Sequence, residues 1–313
     1  MKSEKIDIEI IRSEIRKIKI KYPMWILLAF LICYRGAQFI LQRYWNGLLY
    51  RIGLYNRVTS YMSASGQLFL LLFVILVLVF LIDNMHIFMR RQIHVPAALI
   101  PGLYMVIISI LSIVSGFITA EGFQSRSTII FSALYFILVS ITEELVYRGV
   151  TADILLKTFL FKCDPYGAGP YGLKERKAIL TATICSGLVF GLAHISNMSH
   201  ARVSGVLVQM LGAFLMGMVL TAVYYRTGNI YAVIILHAIN DLAAAMPVTI
   251  IQSDQNISDV ISGYGLVDIM MLLPYIAVLM VILRPSKMED LWVRWIAEQN
   301  EIQTDYRRRN PVD

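Results

Sequence analysis

The stretch Ile141-Thr142-Glu143-Glu144-Leu145-Val146-Tyr147-Arg148 decides how the rest of the chain is read. It follows an apolar run, Ile129 to Ile141, with the composition of a membrane-buried helix. On insertion scales a charged side chain at mid-bilayer is unfavourable by roughly 2.5 to 3.5 kcal/mol, so two adjacent carboxylates there need a reason. Helical periodicity separates them. Glu144 and Arg148 are i,i+4 neighbours with the acid first, the better orientation for an ion pair. Glu143 lies about 100° further round the helix, and its own i+4 residue is Tyr147 rather than a base. One carboxylate is neutralised and the other is left for chemistry. The bland alternative is a buried ion-pair network that only locks helices together, and the second carboxylate weighs against it.

Composition agrees with a membrane setting. Of the 313 residues 58% are hydrophobic and the mean hydropathy is +0.65, against roughly 45–50% apolar residues in soluble domains. The net charge of +7 comes from bases clustered in loops and tails, which read as topology signals and not as a nucleic-acid footprint. Cys33, Cys163 and Cys185 are scattered and form no disulfide framework or metal knuckle.

Working outward, the chain opens on a basic segment, Met1 to Tyr22, whose isoleucines fit an interfacial amphipathic helix and not a signal peptide. Apolar spans follow at Trp25 to Leu41, with Arg35 inside it, Leu68 to Ile82, Ala97 to Thr119 and Thr128 to Leu155. After a Pro- and Gly-containing connector, Phe161 to Lys177, come Ala178 to Ile195, Val203 to Tyr225, Ile230 to Pro247 and Leu266 to Leu283. A spanning helix needs about 17–25 residues, so the pattern predicts an all-α integral membrane protein of about eight transmembrane helices around an intramembrane polar cavity. The helix carrying the opening stretch is long enough to protrude from the bilayer. Residues 1–127 hold the N-terminal segment and first three spans, 128–247 a core carrying the polar motifs, and 248–313 the last span and a basic tail. Lys and Arg crowd the loops that share a side with both termini, so both termini are expected in the cytoplasm of a multi-pass cell-membrane protein, with a bacterial cell as the expected source.

Two further polar groups interrupt apolar helices: Phe190-Gly191-Leu192-Ala193-His194 and His237-Ala238-Ile239-Asn240-Asp241. A lone intramembrane histidine is usually a satisfied packing residue. These two are of interest together, because Glu143 and His194 count back to matching heights, about 20–25 Å from the loop that joins their helices. His237 and Asp241 share a helix face, with Asn240 beside them. Glu, His, His and Asp on three helices can meet in one pocket, and intramembrane ionisable groups are functional candidates.

Read in order, Glu143-Glu144-x-x-x-Arg148, Phe190-x-x-x-His194 and His237-x-x-x-Asp241 resemble the three motifs of the CPBP family of intramembrane proteases. That family includes type II CAAX prenyl endopeptidases and bacteriocin-processing or immunity proteins, and the resemblance covers about Thr128 to Pro247. It implies peptide hydrolysis in a water-accessible membrane cavity, with membrane lipid and a peptide or lipidated protein as partners. By position, Glu143 would activate water with help from His194, while His237 and Asp241 would polarise the scissile carbonyl. Glu144–Arg148 would be the structural pair and Phe190 would pack near the site. One departure matters. The family's Asx position is Asp241 here, and an ionised Asp cannot donate to an oxyanion, so either Asp241 is protonated or Asn240 donates instead. The familiar HExxH zinc helix is absent and a metal-free mechanism is the first choice; a zinc ion held by Glu143, His194, His237 and Asp241 is the alternative. Rival functions are an ion- or proton-coupled transporter, for which no inverted repeat is visible, and a non-catalytic immunity or scaffold relative.

Overall fold

The computed structural model describes residues 22–52, 59–79, 95–163, 171–253, 255–294 and 296–297. The amphipathic reading of Met1 to Tyr22, the connector centre at 164–170, Arg90 and Arg91, and the basic tail beyond 297 lie outside the described residues.

Among the described residues the architecture is helical, and the single bridge, Phe123 to Ile251, ties a loop to a helix end. Helix α1 is Pro23–Arg51 and α2 is Thr59–Val77. A short α3, Val95–Leu99, passes through the tight turn Ile100–Gly102 into α4, Leu103–Thr119. Helix α5, Arg126–Glu144, starts where the Ser125 side chain accepts a hydrogen bond from the Thr128 amide at 3.2 Å. It widens into a π-helical segment, Leu145–Ala152, and resumes as α6, Asp153–Cys163. Then come α7, Leu173–Leu192, a 3-10 segment, Ala193–Ser199, and α8, Val203–Thr227. Helices α9, Ile230–Thr249, α10, Ile257–Gly263, and α11, Leu266–Ile282, follow, with residues 285–294 helical again.

Six of these helices are long and apolar enough to cross a membrane, and seven if α10 and α11, bent by 81° at their junction, make one span. Among the described residues the expected eight is therefore not confirmed. The second expected span, Leu68 to Ile82, falls on α2, whose apolar part Ala64–Val77 is shorter than a crossing, and residues 80–94 are not described. The span expected at Leu266 to Leu283 is preceded by α10 at a sharp angle, with the break at Tyr264 and Gly265. Arg126–Cys163 runs for 38 residues, about 55 Å of helix, well beyond a hydrocarbon core of about 30 Å. Protrusion follows from length alone.

Helix α8 is the most enclosed of the spans, and α7 packs along it more extensively than any other pair. The contact depends on small residues. A Cβ at Gly187 would lie 2.8 Å from the Phe214 carbonyl oxygen, and one at Gly191 would lie 2.8 Å from that of Met210. These glycines, four apart, let two membrane helices meet backbone to backbone, where lipid gives no hydrophobic push toward association. Phe190 and His194 ride on that seam. At the end of α8, Gly228 takes a left-handed φ of 64° and Asn229 caps α9 by accepting from the Ala232 amide at 3.1 Å. This tight turn folds α9 back antiparallel to α8 and brings His237 against α5.

Candidate active site

Three elements supply the site: the end of α5 with its π segment, the α7 terminus, and the middle of α9. Arg148 Nη1 donates to Glu144 Oε1 at 2.7 Å, and both side chains are fully buried. Its Nη2 donates to the Gly217 carbonyl of α8 at 3.3 Å. The guanidinium also lies 4.5 Å from the Phe190 ring centroid, a cation–π contact. The expected pair is formed.

What periodicity did not reveal is a third partner. His237 Nδ1 lies 2.7 Å from the same Glu144 Oε1. A carboxylate held by Arg148 is an acceptor, so Nδ1 carries the proton and the ring is fixed with Nε2 facing outward. There Nε2 stands 3.3 Å from Asp241 Oδ2 and 3.9 Å from Glu143 Oε2. One proton lies between His237 Nε2 and Asp241 Oδ2 whichever of them owns it. Glu143 and Asp241 are the open members, 17% and 20% exposed, against 2% for His237. The inner carboxylate aims the histidine; the outer ones meet whatever enters.

His194 sits at the start of the 3-10 segment, not within a continuing helix. α7 ends at Leu192, short of the expected Ile195, and the chain tightens. Its Nδ1 is 3.1 Å from the Phe190 carbonyl oxygen, which can only accept, so Nδ1–H donates and neutral His194 presents Nε2 as a lone pair. The Phe190 ring stands edge-on to His194, His237 and Tyr147 at centroid distances of 5.3, 5.6 and 4.9 Å. It is the wall that holds the two histidines apart at a fixed angle. Asn240, the alternative amide, is half-buried and enters none of these contacts.

The π segment explains why the opening stretch differs from an ordinary helix. All eight of its residues are buried, and Thr151 Oγ1 reaches back five residues to the Val146 carbonyl at 2.9 Å. Tyr225 on α8 donates to the Ala152 carbonyl at 2.7 Å, tying the end of the wide turn to a second helix. Sequence reasoning named Tyr147 only as the i+4 neighbour of Glu143 and passed over Tyr34, whose ring stands edge-on to Tyr147 at 6.4 Å.

Among the described residues no three His, Cys, Asp or Glu side chains converge on a point that fits a metal ion. The alternative zinc set of Glu143, His194, His237 and Asp241 is not assembled, and each histidine spends Nδ1 on a protein acceptor. No step is routed through a metal.

The fold and site define an all-α, multi-pass membrane protein with a carboxylate–histidine cluster buried among its helices. Residues 125–243 match the family model described as type II CAAX prenyl endopeptidase Rce1-like, a match that supports membership of the CPBP proteases. No curated protein and no solved structure matches the chain.

Proposed function

We propose that the protein is an intramembrane endopeptidase acting on a membrane-associated peptide or lipidated protein, CAAX-terminated by the character of its family. One observation carries the reading. Within the matched domain, Glu143 and Asp241 stand open beside a His237 that Glu144 has already oriented. Glu143 takes a proton from water as the water oxygen bonds to the scissile carbonyl carbon. His194, through Nε2, holds that water. His237 and Asp241, with the proton between them, face the developing oxyanion, where preorganised donors act strongly in a dry site. As the C–N bond breaks, Glu143 returns the proton to the leaving amine. The chain's own residues suffice for each transfer, and no cofactor is assigned.

The termini are proposed to be cytoplasmic in a cell membrane. A cysteine at Gly167 then labels with an impermeant thiol reagent only in opened cells, and one at Asp254 labels in intact cells. The activity is tested with purified protein in detergent, offered a fluorogenic prenylated CAAX peptide and, separately, a double-glycine leader peptide. Cleavage of the first is expected; exclusive cleavage of the leader would move the reading to bacteriocin processing. Cleavage of neither would contradict it.

A further inference from the structure

Arg35 lies in α1, outside the family-matched domain and inside an apolar span, where a cation is costly unless it serves a purpose. Among the described residues no carboxylate pairs with it. Its hydrogen bonds go instead to neutral acceptors across the bundle. Nη2 donates to the Ala193 carbonyl at 2.7 Å and to Ser196 Oγ at 3.0 Å, and Nη1 donates to Gln38 Oε1 at 2.7 Å. Ala193 and Ser196 bracket His194 and belong to the 3-10 segment in which α7 ends. A carbonyl oxygen has two lone pairs, so Ala193 can accept the guanidinium in addition to a bond within the 3-10 segment, and a guanidinium fork is a strong way to hold it.

A second route from α1 reaches the same place. Tyr34, 1% exposed, stands edge-on to Tyr147 at 6.4 Å, and Tyr147 packs on Phe190. The far end of the segment is held separately, by Asn197 Nδ2 donating to Gln209 Oε1 at 2.9 Å. His194 therefore sits on a short strap pinned at both ends, and one pin comes from α1.

We propose that Arg35 is a positioning residue that clamps the 3-10 segment so that His194 keeps its place against Phe190, across that ring from His237. The proposal rests on the endopeptidase reading. A displacement of about 1 Å at a catalytic group is enough for a rate loss of order 100-fold. Arg35→Ala is expected to lower kcat by roughly 10- to 100-fold with KM within about two-fold, since Arg35 holds an enzyme group and not the substrate. Arg35→Lys, which keeps the charge but reaches fewer acceptors, is expected to be intermediate, and millimolar guanidinium is expected to restore part of the Arg35→Ala rate. Full kcat in Arg35→Ala overturns the proposal. So does an equal kcat loss in the Ala and Lys variants matched by an equal loss of melting temperature, which marks a role in stability alone. Should Arg35→Ala not fold, Arg35→Gln decides, because it keeps the length and polarity but loses the fork; full kcat there overturns the proposal too. Glu143→Gln is run beside them. If it is inactive while Arg35→Ala is fully active, only the clamp fails; if it stays active, the reading of the site fails and the clamp with it.

Discussion

Two charged clusters in this protein each pair an acid with a base at similar distances and differ in where they sit. In the interior, Glu144 joins Arg148 and His237 at 2.7 Å each, with exposures of 0 to 2%. At the end of α8 and on the helical stretch 285–294 that follows α11, Lys287 pairs with Asp290 at 2.9 Å, with exposures of 31% and 58%, and Arg294 donates to the Arg226 and Tyr225 carbonyls. Geometry does not distinguish them; solvent does. The outer pair exchanges water for a partner at little net gain and is screened by salt. The inner cluster has no water to fall back on, so each member depends on the others. Only the inner cluster can fix a histidine tautomer and hold a carboxylate ready beside it.

The sharpest way to break this contrast is to remove one inner partner. Arg148→Ala leaves Glu144 buried and uncompensated, and stability is expected to fall by about 3–5 kcal/mol in chemical denaturation. His237 loses its fixed orientation with it, so hydrolysis is expected to vanish even in the folded fraction. A loss below about 1 kcal/mol would put the cluster in the same class as the surface pair.

A smaller effect is expected at the seam that carries Phe190 and His194. Gly191→Ala sets a Cβ 2.8 Å from the Met210 carbonyl oxygen, so α7 and α8 must part. Overpacking of this kind costs about 1–3 kcal/mol, read as a lower melting temperature together with slower turnover. Asp241→Asn tests the outer rim at smaller cost still. The amide can both donate and accept toward His237 Nε2, so activity is expected to be kept without metal; stoichiometric zinc in the parent protein, lost on substitution, would instead reinstate the zinc set. Lys287→Ala closes the series. It is expected to change neither melting temperature nor turnover, and a clear drop in either would show the surface cluster to be more than a solvated face.

The series also marks what could be read from residues in a row. The Glu144–Arg148 pair and the openness of Glu143 follow from a period of 3.6 and appear as expected, because both are local to one helix. His237 on Glu144 was not legible, since the rotation of α9 about its axis depends on the Thr227-Gly228-Asn229 turn and on packing against α5. The π segment was hidden for a related reason. Leu145 to Ala152 has ordinary helical composition, and the wide turn is stabilised from outside by Tyr225 on another helix. Arg35 stood out only as a misplaced charge; its partners are 158 and 161 residues away in sequence. The count of spans is left unconfirmed at α2, where the expected crossing runs past the described helix into residues 80–94.

The central claim is that the two adjacent carboxylates divide the work, Glu143 acting on the substrate and Glu144 holding the frame. The direct measurement is a paired one: hydrolysis of the prenylated reporter and thermal unfolding, for the parent protein, Glu143→Gln and Glu144→Gln. The account predicts that Glu143→Gln abolishes hydrolysis while the melting temperature stays within a few degrees of the parent. It predicts that Glu144→Gln lowers stability sharply, since Arg148 and His237 lose their common acceptor. A Glu143→Gln protein that still cleaves, or one that loses activity only because it unfolds, would contradict it.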